Sequence, residues 1–215
     1  MAPRVAPSFR SVIKELSAEY RQTEVRHADE TSWRTDGQRG YAWLFCTEQT
    51  SIFLFRRTRA AAVAQEVLGA LPLGGVLVVD RYAAYHRAPC ALPYGYAHIL
   101  RDVEDLGQEF AAEAEVAAFT ATWIPLLAQA MHLRQQPVTD ADYYEQAQRI
   151  KQQLIVVTES EARHPGIRKI QDLFHDKAER LYHWAQSRAV PAENNRAERE
   201  LRPSVIARKV SFGSQ

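Results

Sequence analysis

A short, uninterrupted apolar run near the middle of the chain sets the strongest limit on its fold. The run Val76-Leu77-Val78-Val79 follows a proline and two glycines, and it ends at Asp80. A continuous series of aliphatic, mostly β-branched residues is typical of a strand covered on both faces, as in the sheets of α/β proteins. We therefore predict an α/β fold in which this strand is central and buried.

Three more strands are predicted before this run, and one is predicted after it. Aromatic and apolar patterns favour strands at Tyr41–Thr47 and Ser51–Arg56, and the short link between them predicts an antiparallel hairpin. Further patterns predict a helix over 8–20, a strand over 25–29, a helix over 58–71 and a strand over 94–98. Three strands, a helix and a further strand indicate the front half of a ribonuclease-H-like mixed sheet.

Residues after Leu100 show helical patterns. Phe110 to Met131 reads as one long helix bent at a proline, and Thr139 begins a capping box for a helix that runs to about Thr158. Apolar residues from Ile170 to Trp184 mark an amphipathic helix. A last helix of two turns, ending before Pro203, is predicted to carry Glu198.

Composition limits the class of protein. The 215 residues suffice for one substantial domain with an insertion, and no stretch reaches the roughly 18 apolar residues of a membrane span. Two cysteines and the absence of an apolar leader predict reduced thiols in a cytoplasmic protein without a membrane partner. The net charge is +3 over residues 1–99, −7 over 100–162 and +5 over 163–215. The basic C-terminal part is compatible with a phosphate backbone or with an ordinary solvated helix.

Three carboxylates in different settings are the candidate catalytic and metal-binding residues. Asp29 and Asp80 each end a predicted strand, where ligands bind in open α/β folds, and Glu198 lies on the last helix. Acids that converge repel one another, and divalent cations are the usual reason for such a set. For each residue a structural role remains open: both aspartates suit a turn, and Glu198 is spaced for an ion pair with Arg202.

Two neighbouring positions leave alternatives open as well. Glu30 follows Asp29, and on a strand the two side chains point to opposite faces, so that only one of them faces the site. The sequence does not decide which. His98, at the end of the predicted strand 94–98, is a candidate for binding phosphate or a half-buried structural histidine.

Four motifs together resemble the DDE transposases of the insertion sequence sixty-six family. They are Asp29-Glu30-Thr31-Ser32-Trp33, Asp80-Arg81-Tyr82-Ala83-Ala84-Tyr85, Ala97-His98, and the run from Asn194 to Pro203. Ile206-Ala207-Arg208-Lys209 and Phe212-Gly213-Ser214 continue the likeness, which covers the chain from about residue 23 to its end. Each motif alone is weak, but their order and spacing are specific.

The resemblance implies a ribonuclease-H-like core with Asp29, Asp80 and Glu198 as a triad that binds two Mg²⁺ ions, for which Mn²⁺ can substitute. It implies cleavage of double-stranded DNA and strand transfer of an insertion sequence by a homo-oligomer associated with the bacterial nucleoid. Charge and position add His98, Arg199, Arg202, Arg208 and Lys209 as candidate DNA contacts. The implied organisation is an N-terminal helix (1–22), a first core segment (23–99), a helical insertion (100–190) and a last core segment (191–215).

The resemblance also implies an upstream region with zinc-binding and DNA-recognition segments, whose composition is not found here. We therefore expect a fragment, a truncated copy or a separately encoded catalytic piece. Two other functions stay open: a ribonuclease-H-like nuclease that cleaves without joining, and a non-catalytic remnant that binds only DNA or a partner. The transposon ends, the target and the oligomeric state cannot be inferred from this sequence.

Overall fold

The computed structural model describes residues 6–35 and 38–210, which fall into two compact units. The first unit consists of Met1–Leu92 and Asn194–Gln215, and the second consists of Pro93–Glu193. Each unit is described by itself. In chain order the first segment contains α1 (Ala6–Gln22), β1 (Val25–Thr35), β2 (Gln38–Cys46), β3 (Ser51–Arg56), α2 (Ala61–Leu68), β4 (Val76–Val78) and a 3-10 turn at Ala83–Arg87.

The second unit is helical throughout its regular elements. It contains α3 (Ala97–Glu109), α4 (Ala114–Leu133), α5 (Asp140–Thr158), α6 (Pro165–Asp176), α7 (Ala178–Leu181) and a 3-10 turn at His183–Ala185. The chain then returns to the first unit and ends, within the described residues, in α8 (Asn195–Val210).

The first unit has a mixed four-stranded sheet in the order β3-β2-β1-β4. The β1–β2 and β2–β3 pairs are antiparallel, whereas β1 and β4 are parallel. The predicted α/β class and the predicted hairpin are confirmed. The predicted central position of β4 is wrong, because β4 is the last strand in this order, with a parallel bridge between Val76 and Ala91 beyond it.

Helices cover both faces of the sheet. On one face Trp43 and Phe45 are fully buried, and Phe45 meets Tyr20 of α1 edge-on at a ring distance of 6.0 Å. On the other face Leu44 and Cys46 form a buried cluster with Ala197 and Leu201 of α8. Alternation along β2 therefore sends successive side chains into two separate apolar layers. Both cysteines of the chain are free thiols.

Strand β1 is longer than its apolar pattern predicts. It continues from the expected end at Asp29 to Thr35, because residues 31–35 pair with residues 38–42 of β2 as the outer part of a hairpin. The polar residues Thr31, Ser32 and Arg34 hide this extension, since they lack the alternation of a half-buried strand. Asp29 consequently lies within a strand and not at its end.

The predicted strand at Tyr94–His98 is wrong. α3 begins at Ala97, and the tyrosines that suggested a strand are anchors of the helical unit. The backbone N–H of Tyr94 donates to the carbonyl oxygen of Arg180, and that of Tyr96 donates to Ala192. These bonds attach both residues to other segments of the helical unit, and the strand-like composition reflects buried aromatic packing.

The last helix is also longer than predicted. α8 runs through Pro203 to Val210 instead of ending after two turns. A proline within a helix leaves the carbonyl four residues earlier without its usual donor. That carbonyl belongs to Arg199, and both Arg199 and Pro203 are exposed, so water can hydrate it. Residues Phe212-Gly213-Ser214 lie outside the described residues.

The helical unit has a core of its own. Trp123 and Phe174 meet edge-on at 4.8 Å, and the indole N–H of Trp184 donates to the Tyr96 hydroxyl at 2.9 Å. Thr139 caps α5 as predicted, and α5 ends at Thr158. The other helix predictions need adjustment: the long helix begins at Ala114, and the region 165–185 is divided into two helices and a 3-10 turn.

α4 is the only helix in the described residues that is long and apolar enough to cross a membrane, judged by length and composition. Half of its most apolar window is buried inside the structure. A single helix of this kind is weak evidence for a membrane segment, because core helices have the same composition.

Candidate active site

The pairing of two parallel strands explains why Asp29 and Asp80 come together. His27 of β1 is in register with Val78 of β4. Asp29 lies two residues after His27, and Asp80 lies two residues after Val78. The register therefore places the two aspartates side by side and on the same face. The parallel ladder of three residue pairs therefore brings both aspartates to the same end of these two strands.

Glu198 reaches the same face from α8. Asp29 is paired with Leu44 of β2, and Leu44 packs against Ala197 and Leu201 on either side of Glu198 in the sequence. The small side chain of Ala197, fully buried, allows the first turn of α8 to lie close to the sheet. One carboxylate oxygen of Asp80 and one of Glu198 lie within 4.8 Å of each other.

Asn194 attaches the start of α8 to the strand that carries Asp29. This asparagine is fully buried, and its Nδ2 donates to the carbonyl oxygen of Ala28 at 2.9 Å. Its Oδ1 then accepts from Nδ1 of His27 at 3.0 Å, which fixes the tautomer of that imidazole. The sequence shows Asn194 only as the first residue of the motif that ends at Pro203, because contacts across 166 residues leave no local signal.

The electrostatics show how closely the acids approach one another. The pKa of Asp29 is raised from 3.8 to about 7, first by burial and then by the negative charges of Asp80, Glu30 and Glu198. The backbone N–H of Glu30 donates to Oδ1 of Asp29 at 2.8 Å and partly opposes this rise. A positive charge placed beside this carboxyl would favour its ionised form.

Glu30 belongs to the opposite face of the sheet. Glu30 is paired with Trp43 in the sheet. Its carboxylate accepts a hydrogen bond of 2.7 Å from the hydroxyl of Tyr85 and forms an ion pair with Arg59. Burial raises the pKa of Glu30, while the bonds from Tyr85 and Arg59 oppose that rise. The question that the sequence left open is therefore answered: Asp29 shares the face of α8, and Glu30 is engaged elsewhere.

The candidate DNA contacts differ in their availability. Arg199 and Arg202 are exposed on α8, and within the described residues no ion pair joins Glu198 to Arg202. Arg208 instead donates to the hydroxyl of Thr31 at 3.3 Å and to Ser32, so it holds α8 on β1. The side chain of Lys209 lies outside the described part of the chain. His98 is half-buried in the first turn of α3, in the helical unit.

The donor set of the first unit fits a hard divalent cation. Carboxylate oxygens from β1, from the residue two positions after β4 and from α8 face one region, and the pKa of Asp29 is raised by burial first and then by the other acids. Mg²⁺ and Mn²⁺ prefer oxygen ligands of this kind. A cation would relieve the repulsion that the fold imposes.

The chain also matches a known protein family. The family model described as "Transposase IS66 family" matches residues 1–215. The chain belongs to the IS66 transposase family. Its type of function is accordingly transposition, a form of DNA recombination, and the resemblance inferred from the four motifs is confirmed.

The likeness of this chain to a solved structure is weak. One similar solved structure is the cryo-EM structure of a simian T-cell lymphotropic virus intasome in complex with the PP2A regulatory subunit B56 gamma. The identity is 9%, the TM-score is 0.28, and the similarity covers 54% of this chain and 50% of that one, about half its length. No curated protein matches the chain.

Proposed function

We propose that this chain is the catalytic domain of a DDE transposase, in which Asp29, Asp80 and Glu198 are the catalytic triad. The observation that carries the proposal is geometric: Asp29 and Asp80 follow registered residues of two parallel strands, and one carboxylate oxygen of Asp80 and one of Glu198 lie within 4.8 Å of each other. The sheet supports a ribonuclease-H-like core, because an antiparallel β1–β2–β3 meander is followed by a helix and a strand parallel to β1. The helical unit is then an insertion between Asp80 and Glu198.

The triad would hold two Mg²⁺ ions, or Mn²⁺ in their place. When bound, such ions activate the attacking oxygen and stabilise the leaving 3′-oxygen of a phosphodiester. Asp29 contributes a carboxyl whose pKa is about 7 without a cation, so a bound cation would favour its ionised form. Asn194 and the cluster around Leu44 fix the distance from α8 to β1, so that Glu198 meets the aspartates without rearrangement.

The DNA contacts are proposed from charge and exposure. Arg199 and Arg202 lie on the helix that carries Glu198, and exposed guanidinium groups bind phosphate oxygens well. Arg208 is occupied with β1, so its role would be to hold α8 in place, and Lys209 and His98 remain candidates for phosphate contact. The substrates would be transposon ends and target DNA, bound by a homo-oligomer in the bacterial cytoplasm, at the nucleoid.

The test is cleavage of DNA that carries the ends of the element, with Mg²⁺ or Mn²⁺, by the parent and by Asp80→Ala and Glu198→Ala. We expect nicks with free 3′-hydroxyls, joining of these ends to target DNA, and loss of both activities in the two variants. Glu66→Gln, which removes an exposed carboxylate that pairs with Arg56, is the matched control and should cleave like the parent.

Three outcomes would count against the proposal in different ways. Cleavage that survives Glu198→Ala would remove Glu198 from the site. Cleavage without joining would leave a nuclease of the same fold. No cleavage by a folded parent that still binds DNA would favour the non-catalytic remnant.

A further inference from the structure

A second charged cluster lies on the reverse face of the sheet, directly behind the proposed triad. The carboxylate of Glu30, with only 4% of its side chain exposed, pairs with the guanidinium of Arg59 and accepts a hydrogen bond from Tyr85. The Arg59 guanidinium lies 4.0 Å from the centre of the Tyr82 ring, and the Tyr82 hydroxyl donates to the carbonyl oxygen of Arg59 at 2.7 Å.

The cluster connects three segments whose positions decide the geometry of the site. Glu30 is the residue next to Asp29 on β1. Tyr82 and Tyr85 lie on the turn that follows Asp80, and Arg59 lies two residues before α2. Tyr85 is 1% exposed and its ring meets Trp43 edge-on at 5.9 Å, so the turn is packed onto the sheet as well as hydrogen-bonded to it.

We propose that Glu30, Arg59 and Tyr85 are positioning residues for the triad: they fix the turn after Asp80 to β1 beside Asp29, and thereby set the separation of the two aspartates. β4 ends at Val78, so the strand ladder does not reach Asp80 itself. The cluster supplies the missing restraint on the far side of the sheet. The inference rests on the proposed function, because it assigns these residues a part in forming a divalent-cation site.

A purely electrostatic effect of Arg59 and a positioning role of Arg59 predict opposite changes in the affinity for a divalent cation. Arg59 is a cation paired with Glu30, the residue next to Asp29, so replacing it by a neutral residue would raise the affinity for a divalent cation if only long-range charge mattered. If Arg59 positions the aspartates, the same replacement lowers the affinity. Tyr85→Phe removes one hydroxyl without changing charge, and it leaves the ring packed on Trp43.

The experiment is a titration of the full chain with Mn²⁺ alone, with free Mn²⁺ followed by its electron paramagnetic resonance signal. We expect Arg59→Gln to weaken binding about tenfold, the lower end of what loss of an outer-shell partner costs, and Tyr85→Phe to weaken it several-fold. The matched control is Arg56→Gln, which breaks an exposed Arg–Glu pair between β3 and α2 and should bind like the parent. Circular dichroism melts identify any variant that fails to fold, in which case Tyr85→Phe decides.

Two results would overturn the proposal and are distinguishable. In the first, the parent binds Mn²⁺ and Asp80→Ala does not, but folded Arg59→Gln and Tyr85→Phe bind Mn²⁺ at least as tightly as the parent. The positioning role is then wrong, and the metal site stands. If the parent does not bind Mn²⁺, or if Asp80→Ala binds it equally well, the proposed function fails and the positioning role fails with it.

Discussion

At the level of single residues, the ionisation of Asp29 links the proposed site to the stability of the fold. Its pKa is about 7 in the folded chain and 3.8 as the reference for an unfolded one. At pH values between 3.8 and about 7, Asp29 is protonated in the folded chain and ionised in the unfolded chain. The free energy of unfolding contributed by Asp29 therefore falls as the pH rises from about 4 to about 7, and it stays low above that range.

Asp29→Asn should remove this pH dependence when a chelator keeps divalent cations away. At pH 8 the variant is expected to be more stable than the parent by about 2 to 4 kcal/mol, since each pKa unit corresponds to about 1.4 kcal/mol. At pH 4 the two should be nearly equal. Urea unfolding in EDTA at both pH values measures the difference, and a variant that keeps the parent's pH slope would show that Asp29 is not the titrating group.

The sequence identifies the acids better than it identifies their supports. Asp29, Asp80 and Glu198 could be singled out because each stands in a motif and next to an apolar pattern. Asn194, Arg59 and Tyr85 could not, because their bonds join residues 29 to 167 positions apart. Whether Asp29 or Glu30 faces the site depends on which of them is paired with Leu44 and so lies on the same face of the sheet. Only the folded sheet fixes this pairing.

At the level of elements, the start of β4 depends on a glycine. Gly75 has φ +68°, and a Cβ built there would lie 2.1 Å from the carbonyl oxygen of Glu24. That oxygen accepts the backbone N–H of Val76 at 2.7 Å, the bond that begins the β1–β4 ladder. A side chain at position 75 would therefore push β4 away from β1 and disturb the register that aligns Asp29 with Asp80.

Gly75→Ala is accordingly expected to lower the free energy of unfolding by about 3 kcal/mol or more, a size that indicates a specific clash with backbone. Gly69→Ala provides the matched control, because Gly69 has φ +75° but nothing within 4 Å of its built Cβ. The control should cost about 1 kcal/mol, for backbone strain alone. Urea denaturation of both variants tests this, and equal losses would mean that the close approach to Glu24 is relieved without cost.

The attachment of α8 to β1 makes a second prediction at this scale. Asn194→Ala leaves the carbonyl of Ala28 and the Nδ1 of His27 without their partner in a buried place. We expect a loss of about 2 to 4 kcal/mol in the free energy of unfolding, whereas Arg202→Ala, exposed on the same helix, should change it by less than about 0.5 kcal/mol. Chemical denaturation measures both, and equal effects would show that water replaces the amide of Asn194.

Element boundaries show where sequence patterns fail and why. β3 and α5 were predicted with their observed bounds because their apolar periods and caps are local. The outer half of β1 is polar, and α8 contains a proline, so local patterns end both elements too early. In each case distant partners, the β2 hairpin and the contact of Arg208 with β1, extend the element beyond its own signal.

At the level of the whole molecule, the chain consists of two units with separate cores. The helical unit Pro93–Glu193 contains its own buried aromatic side chains, and Phe174, 1% exposed, touches the rings of Trp123, Tyr96 and Tyr182. About 100 residues around one apolar core is a usual size for a domain that folds by itself. The charge asymmetry along the sequence fits this division in part, because the acidic stretch 100–162 lies within the helical unit.

We therefore expect residues 93–193, expressed alone, to be helical and to unfold cooperatively. Phe174→Ala should remove about 3 to 5 kcal/mol by leaving a cavity among the aromatic rings, enough to abolish the cooperative transition of a domain this small. Val156→Ala, 58% exposed on α5, is the control and should unfold like the parent fragment. Far-UV circular dichroism during thermal and urea unfolding makes the comparison. A fragment that is unfolded, or one that is indifferent to Phe174→Ala, would mean that this unit takes its order from the rest of the chain.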